Sequence, residues 1–211
     1  STVMPGSCET EIQPALEGAS GRRVGETLGL CYSPEFIALG NVIRDMLEPD
    51  MVLIGESDSR AGDVLERLCG GVVENDPPFR RMSLVNAELT KIAVNTYVTM
   101  KISYANALAD MCERLPGADV EAVTDALGLD SRIGQKYLRG AIAYGGPCFP
   151  RDNKAFGVLA RDIGAEPLLA EATDAVNASQ IDRLARVVRS RVEDGGTVGI
   201  LGLAYKPDTG V

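Results

Sequence analysis

Histidine and tryptophan are both absent from this 211-residue sequence. The lack of histidine excludes Ser-His-Asp and Cys-His catalysis, histidine-ligated metals and the usual general base at neutral pH. Any chemistry falls to cysteine, lysine and carboxylates. Paired cysteines are missing too: Cys8, Cys31, Cys69, Cys112 and Cys148 are odd in number, with no CxxC among them. Neither a disulfide framework nor a structural zinc or other metal site is expected, and the thiols are expected to be reduced. Basic residues are in deficit, 21 Lys and Arg against 30 Asp and Glu for a net charge of −9. That balance disfavours nucleic acid or an anionic membrane as a partner, since each needs a broad basic face. No uncharged apolar run reaches the roughly 18 residues of a membrane helix, and the first six residues lack a secretory pattern. A soluble, cytoplasmic chain is expected.

What is present is enough apolar material, 45% of residues, to bury one or two cores. Short apolar runs at 28–32, 51–55 and 71–74 predict strands, and amphipathic stretches at 8–19 and 59–68 predict helices. Strands separated by helices point to an α/β domain with a parallel sheet, opening as though just past a strand. After Asp76-Pro77-Pro78 the pattern becomes one long helix over 83–115, free of Pro and Gly. Ala93, Tyr97, Met100, Tyr104, Leu108 and Met111 fall on one side of it. Val94, Val98, Ile102, Ala105 and Ala109 form a second apolar stripe, so this helix needs partners on two faces. A homodimer built along it is one expectation, the centre of a monomeric bundle the other. Further helices are predicted at 119–127, 151–163 and 167–193, and a strand opening a new α/β unit at 197–202.

The most informative stretch is Tyr144-Gly-Gly-Pro-Cys148-Phe-Pro-Arg-Asp152-Asn-Lys154. Gly145 and Gly146 let the backbone approach a ligand closely, and Cys148 sits just before a helix that proline would start. Helix N-terminal amides with Arg151 and Lys154 nearby would stabilise a thiolate there. A small buried hydrophobe is the alternative for Cys148, and is what the other four cysteines suggest.

Gly145-Gly-Pro-Cys148-Phe-Pro-Arg-Asp152 resembles the catalytic-cysteine motif of the UDP-glucose/GDP-mannose dehydrogenase family. Ser1-Thr-Val-Met-Pro-Gly6, Ser33-Pro-Glu-Phe36, Pro49-Asp50 with Val52-Leu-Ile-Gly55, Glu88-Leu-Thr-Lys91 to Asn95, Arg132-Ile-Gly134 and Gly202-Leu-Ala-Tyr-Lys-Pro-Asp208 resemble that family's other blocks, in order. The resemblance implies the C-terminal part of a Rossmann-like NAD-binding domain over 1–80. A helical central, dimerising domain over 81–194 and the start of a UDP-sugar-binding domain over 195–211 would follow.

It also implies a reaction, the NAD-dependent four-electron oxidation of a nucleotide sugar, with UDP-glucose to UDP-glucuronate the first choice. Cys148 would carry a thiohemiacetal and then a thioester. Lys91 and Asn95, four apart on the long helix, would hold the reacting oxygen, although a solvated lysine beside a polar residue is common on helices. Glu35 would serve base and water chemistry in hydrolysis, Thr2 would position a water, and Asp152 would support the cysteine loop. Arg132 would reach the sugar nucleotide across a dimer interface. Tyr137, Phe36, Gly145, Gly146 and Lys206 would line or contact the substrate, and Lys154, Glu35 and Thr2 would face the cofactor. Lys136 and Arg139 add cations that could equally form a solvated face. Leu39 stands where relatives often have a second glutamate, which argues against a mechanism that requires paired carboxylates.

The family's N-terminal G-x-G-x-x-G does not occur in this sequence, and Gly199 and Gly202 have the wrong spacing for it. The expectation is a middle portion of an enzyme, catalytically silent by itself. A dimerisation or sugar-nucleotide-binding module without catalysis is the alternative, against which the presence of Cys148, Lys91, Asn95 and Glu35 counts.

Overall fold

The computed structural model describes residues 2–38 and 40–202; Ser1, Leu39 and 203–211 lie outside the described residues. The described residues divide into two compact units, one within 2–93 and one within 94–202.

The first unit is a small mixed sheet with helices. A π-helical turn, Cys8–Ile12, runs into helix α1 (Gln13–Ser20), which ends on Gly21 in the left-handed region at φ 66°. The sheet holds β1 (Cys31–Tyr32), β2 (Val52–Glu56) and β3 (Phe79–Ser83) in the order β1-β2-β3. Helix α2 (Val42–Leu47) precedes β2, and α3 (Ser59–Gly70) connects β2 to β3. The α3 start is set by Asp58, whose side chain accepts from the amides of Arg60 and Ala61 at 3.1 and 3.2 Å. Strand β2 is the core strand: Leu53 and Ile54 are 1% and 0% exposed, each contributing roughly 1.5–3 kcal/mol by burial. Cys8, Leu30, Tyr32, Leu84 and Ala87 close around Leu53.

Two sequence expectations fail here. The run at 71–74 forms no strand; Glu74 instead donates its amide to Leu47 O in a loop. The third strand is Phe79–Ser83, which pairs in parallel with β2 from Val52↔Phe79 to Glu56↔Ser83. The sheet is also not purely parallel, because β1 runs antiparallel to β2 through Cys31↔Glu56 and Tyr32↔Gly55. A short antiparallel strand on the edge of a parallel sheet needs no crossover helix, which suits a two-residue strand.

The long helix, α4 (Leu84–Cys112), follows β3 directly and is continuous for 29 residues. The division between the units falls within it, after Ala93. The second unit contains the rest of α4 with α5 (Val120–Gly128), α6 (Phe149–Asp162) and α7 (Leu168–Arg189). Asp119 caps α5 by accepting from Glu121 N at 2.8 Å. The loop after α5 is held by Lys101, whose ammonium donates to the carbonyls of Ile133 and Gly134, both at 3.1 Å. A Cβ on Gly140 would stand 2.8 Å from Ala109 Cβ, 2.9 Å from Val120 Cγ2 and 3.0 Å from Ala105 O, so only glycine lets this loop lie on α4. Residues 197–202 form no strand among the described residues, and Ile200 and Leu201 are largely exposed. No helix among the described residues is long and apolar enough to cross a membrane. Among them, no three His, Cys, Asp or Glu residues gather to hold a metal ion.

Candidate active site

In the second unit the site is built on the first turn of α6. Pro150 occupies the start of that helix, where its fixed φ suits a helix and its missing N–H leaves nothing unpaired. Cys148 stands immediately before, as the N-cap, and is exposed. Asp152 donates its amide to Cys148 O at 2.8 Å. Its carboxylate is 1% exposed, and both oxygens are used: Oδ2 accepts from Asn95 Nδ2 at 2.6 Å and Oδ1 from Arg151 Nε at 2.8 Å. A carboxylate out of water needs such partners. The bond to Asp152 in turn pushes the Arg151 guanidinium above its ordinary range. Asn95 on α4 and Asp152 on α6 thereby join the two helices beneath Cys148.

The segment leading into Cys148 is gripped by side chains. Asn106 accepts from Ala141 N at 2.8 Å and donates to Ile142 O at 2.9 Å. Asn177 accepts from Tyr144 N at 2.8 Å and donates to Tyr144 O at 3.1 Å. The Tyr144 hydroxyl donates to Asp174 at 2.7 Å; burial first, and then this bond, pushes its phenol well above the usual tyrosine range. Gly145 and Gly146 are half-buried, and Gly146 takes a φ of 80°. Tyr137 is the non-glycine residue with positive φ among the described residues, at 63°, and its ring lies edge-on to Phe149 at 6.4 Å.

In the first unit, Lys91 is 8% exposed, donates to Glu35 O at 2.6 Å and lies 4.6 Å above the Phe36 ring. The structure thus brings Lys91, the Glu35 backbone and Phe36 together, with Glu35 an exposed residue. Thr2 is half-buried three residues before a Pro5–Gly6 turn, in which Gly6 takes a φ of 97°. That turn is tied to α4 by Glu88, which is fully buried and accepts from Gly6 N at 2.6 Å and Cys8 N at 2.7 Å. Burial first, and then the Glu88 carboxylate, pushes the Cys8 thiol up to about 12.

Other expected site residues stand apart from these groupings. Arg132 is exposed and turns its guanidinium onto Asp130, at 2.6 Å from Nη2 to Oδ2, which lowers the Asp130 carboxyl and raises the arginine. Lys154 is exposed on α6. Lys206 and Leu39 lie outside the described residues. Asn106, Asn177, Asp174 and Glu88 were not singled out by sequence reasoning; only Glu88 stood inside a recognised block.

A mixed α/β unit is followed by one long helix and a helical unit with an exposed cysteine at a helix N-cap position. Sequence profiles of the UDP-glucose/GDP-mannose dehydrogenase family match twice, the NAD binding domain over residues 1–71 and the central domain over 85–179. The chain belongs to the UDP-glucose/GDP-mannose dehydrogenase family. NAD is the cofactor this match indicates. The UDP-glucose 6-dehydrogenase AglM of Haloferax volcanii is 40% identical over 212 residues, covering 99% of this chain and 49% of that protein. The GDP-mannose 6-dehydrogenase of Pseudomonas putida is 31% identical over 211 residues, 99% of this chain and 47% of that protein. Among solved structures, a UDP-glucose dehydrogenase from Pyrobaculum islandicum superposes with a TM-score of 0.82 at 34% identity, over 90% of this chain and 43% of that one. The chain spans about half the length of the curated relatives it matches.

Proposed function

We propose that these residues serve the oxidation of a nucleotide sugar at its primary alcohol to the carboxylate, with UDP-glucose as substrate. The observation that carries this reading is the Asn95–Asp152 bond of 2.6 Å in the turn that follows an exposed cysteine at the α6 N-cap position. A surface thiol with no task needs no buried carboxylate fixing the turn that follows it. UDP-glucose is favoured by the 40% identical relative named for that substrate.

In the proposed sequence the C6 alcohol loses two electrons to become an aldehyde. The Cys148 thiolate then adds to the aldehyde carbon, forming a C–S bond. Loss of two more electrons leaves an acyl group on Cys148, and water displaces the thiolate to release the acid. NAD, when bound, supplies the hydride acceptor for both oxidations. Lys91 and Asn95 donate to the oxygen on which negative charge develops. Glu35 takes the proton of the attacking water, which Thr2 orients. Asp152 and Arg151 hold the first turn of α6, and Tyr137, Phe36, Gly145, Gly146, Arg132 and Lys206 meet the substrate. Thr2, Glu35 and Lys154 are the residues we assign to the cofactor, and Gly6, with positive φ and open space at its Cβ position, leaves room for it beside the Pro5–Gly6 turn. We assign residues 1–80 to the nucleotide-binding domain, 81–194 to the central domain and 195–211 to the start of the sugar-nucleotide domain.

A homodimer along α4 belongs to the same proposal. Tyr97, Tyr104 and Met111 are each more than half exposed at seven-residue spacing, a seam that a second helix would cover.

The test is NADH yield per sugar in the enzyme expressed from the gene that encodes this sequence, across UDP and GDP sugars. Two NADH per UDP-glucose, lost in Cys148→Ser, is the expected result. No turnover with any sugar would remove the catalytic assignment.

A further inference from the structure

We propose that Asn106 and Asn177, together with the Tyr144–Asp174 bond, position Cys148; this rests on Cys148 being the nucleophile. Residues 141–144 belong to no strand or helix, so their backbone groups need partners from elsewhere. Side chains supply them. Asn106 satisfies Ala141 N and Ile142 O, Asn177 satisfies both polar groups of Tyr144, and Arg183 donates to Ala141 O at 2.9 Å. Each asparagine amide meets the peptide chain as a neighbouring strand would, one acceptor and one donor, but from a helix.

An amide buried on a helix is the costlier choice for packing alone. Asn106 is fully buried, and asparagine is a poorer helix former than leucine or alanine. Its presence in α4 is accounted for by the loop it holds. The grip also lies close to the thiol. Tyr144 is 8% exposed and fixed at its N–H, C=O and hydroxyl, and only Gly145, Gly146 and Pro147 separate it from Cys148. The rings of Tyr144 and Phe149 meet edge-on at 6.4 Å, so the residues on the two sides of the cysteine are packed against each other. The thiol is exposed while its backbone is anchored before and after it, the arrangement that holds a nucleophile in a reactive geometry. The anchoring also keeps the sulfur at the α6 N-terminus, within the field of Arg151.

The test uses this chain and follows alkylation of Cys148 peptide by peptide, which separates it from the other four cysteines. Rate constants for iodoacetate and iodoacetamide are compared. Their ratio cancels the thiolate fraction and reports the local positive field, which a loss of global stability alone would not move. The wild-type ratio is expected to exceed that of N-acetylcysteine by at least about twofold, the Coulomb effect of one nearby cation through water. Asn177→Ala should bring the ratio down to the N-acetylcysteine value while the melting transition stays cooperative. Tyr144→Phe, which keeps the ring and removes only the hydroxyl bond, should shift it part of the way and decides the matter if Asn177→Ala fails to fold. A reactive Cys148 whose ratio is the same in wild type and variants, or no higher than that of N-acetylcysteine, would overturn the positioning role and leave the nucleophile assignment standing. A Cys148 inert to both reagents would overturn both.

Discussion

Replacing Glu88 by glutamine keeps the side chain's shape and removes its charge, and the effect follows from two bonds. The carboxylate is fully buried on α4 and accepts from the amides of Gly6 and Cys8 at 2.6 and 2.7 Å. Hydrogen bonds to an ionised acceptor contribute about 1.5–3 kcal/mol each. Glutamine has one carbonyl oxygen, so one amide keeps an acceptor and the other faces an NH2 group. The expected loss is about 1.5–3 kcal/mol, one such bond. Glu88→Ala orphans both amides and leaves a cavity, for about 3–5 kcal/mol. The assay is pulsed alkylation of Cys8 along a urea series, because that thiol is 2% exposed in the folded state and reports on the first unit. With a urea slope of roughly 1–3 kcal/mol per molar, the glutamine midpoint should fall by about 1 M. A glutamine variant whose Cys8 midpoint matches the wild type would show that the turn is not held by this carboxylate.

Gly140→Ala forces a methyl to within 3.0 Å of α4 and Val120, and should lower stability by about 1–3 kcal/mol; an unchanged melting temperature would refute the close approach. Tyr104→Glu, placed at the middle of the exposed α4 seam, should shift sedimentation from dimer to monomer without loss of helical signal. Burial and the bond to Asp174 raise the Tyr144 phenol above its ordinary value, so the native state keeps a proton that the unfolded chain loses. That contribution is intact below about pH 10, the unfolded value, and declines as pH rises towards the folded one. Melting temperature should therefore fall between about pH 9 and 11, and Tyr144→Phe should reduce that slope. Part of the slope should survive in the variant, because burial likewise pushes Tyr32 up to about 12.

The helices other than the short α2 (Val42–Leu47), which was not expected, were legible because their signals are local. An uninterrupted stretch without Pro or Gly predicted 83–115, against Leu84–Cys112 observed, and the Pro150 and Asp119 starts were equally local. Strand β3 was hidden by its own composition, since Phe79-Arg-Arg-Met-Ser carries two cations. Arg81 is accommodated because Glu56, Asp63, Glu66 and Ser59 O converge on it, from β2 and α3, which no window around residue 81 contains. The antiparallel pairing of β1 was hidden for a similar reason, since a two-residue strand has no period. Within the site, the cysteine motif was legible as a block of sequence. Its supports were not: Asn95 and Asp152 are 57 residues apart, and Asn177 and Tyr144 are 33 apart. An asparagine on a helix face carries no mark of which backbone it will meet.

The grip on residues 141–144 has a consequence for how this region can change over evolutionary time. Asn106 and Asn177 bind peptide groups, and peptide groups are the same whatever side chain they carry. Ala141 and Ile142 are therefore held without being specified, and both are exposed. Substitution at these positions can alter what the surface beside the cysteine presents while the path of the chain stays fixed. Chemical latitude is concentrated in two loop residues, and the constraint that permits it sits on two helices distant in sequence.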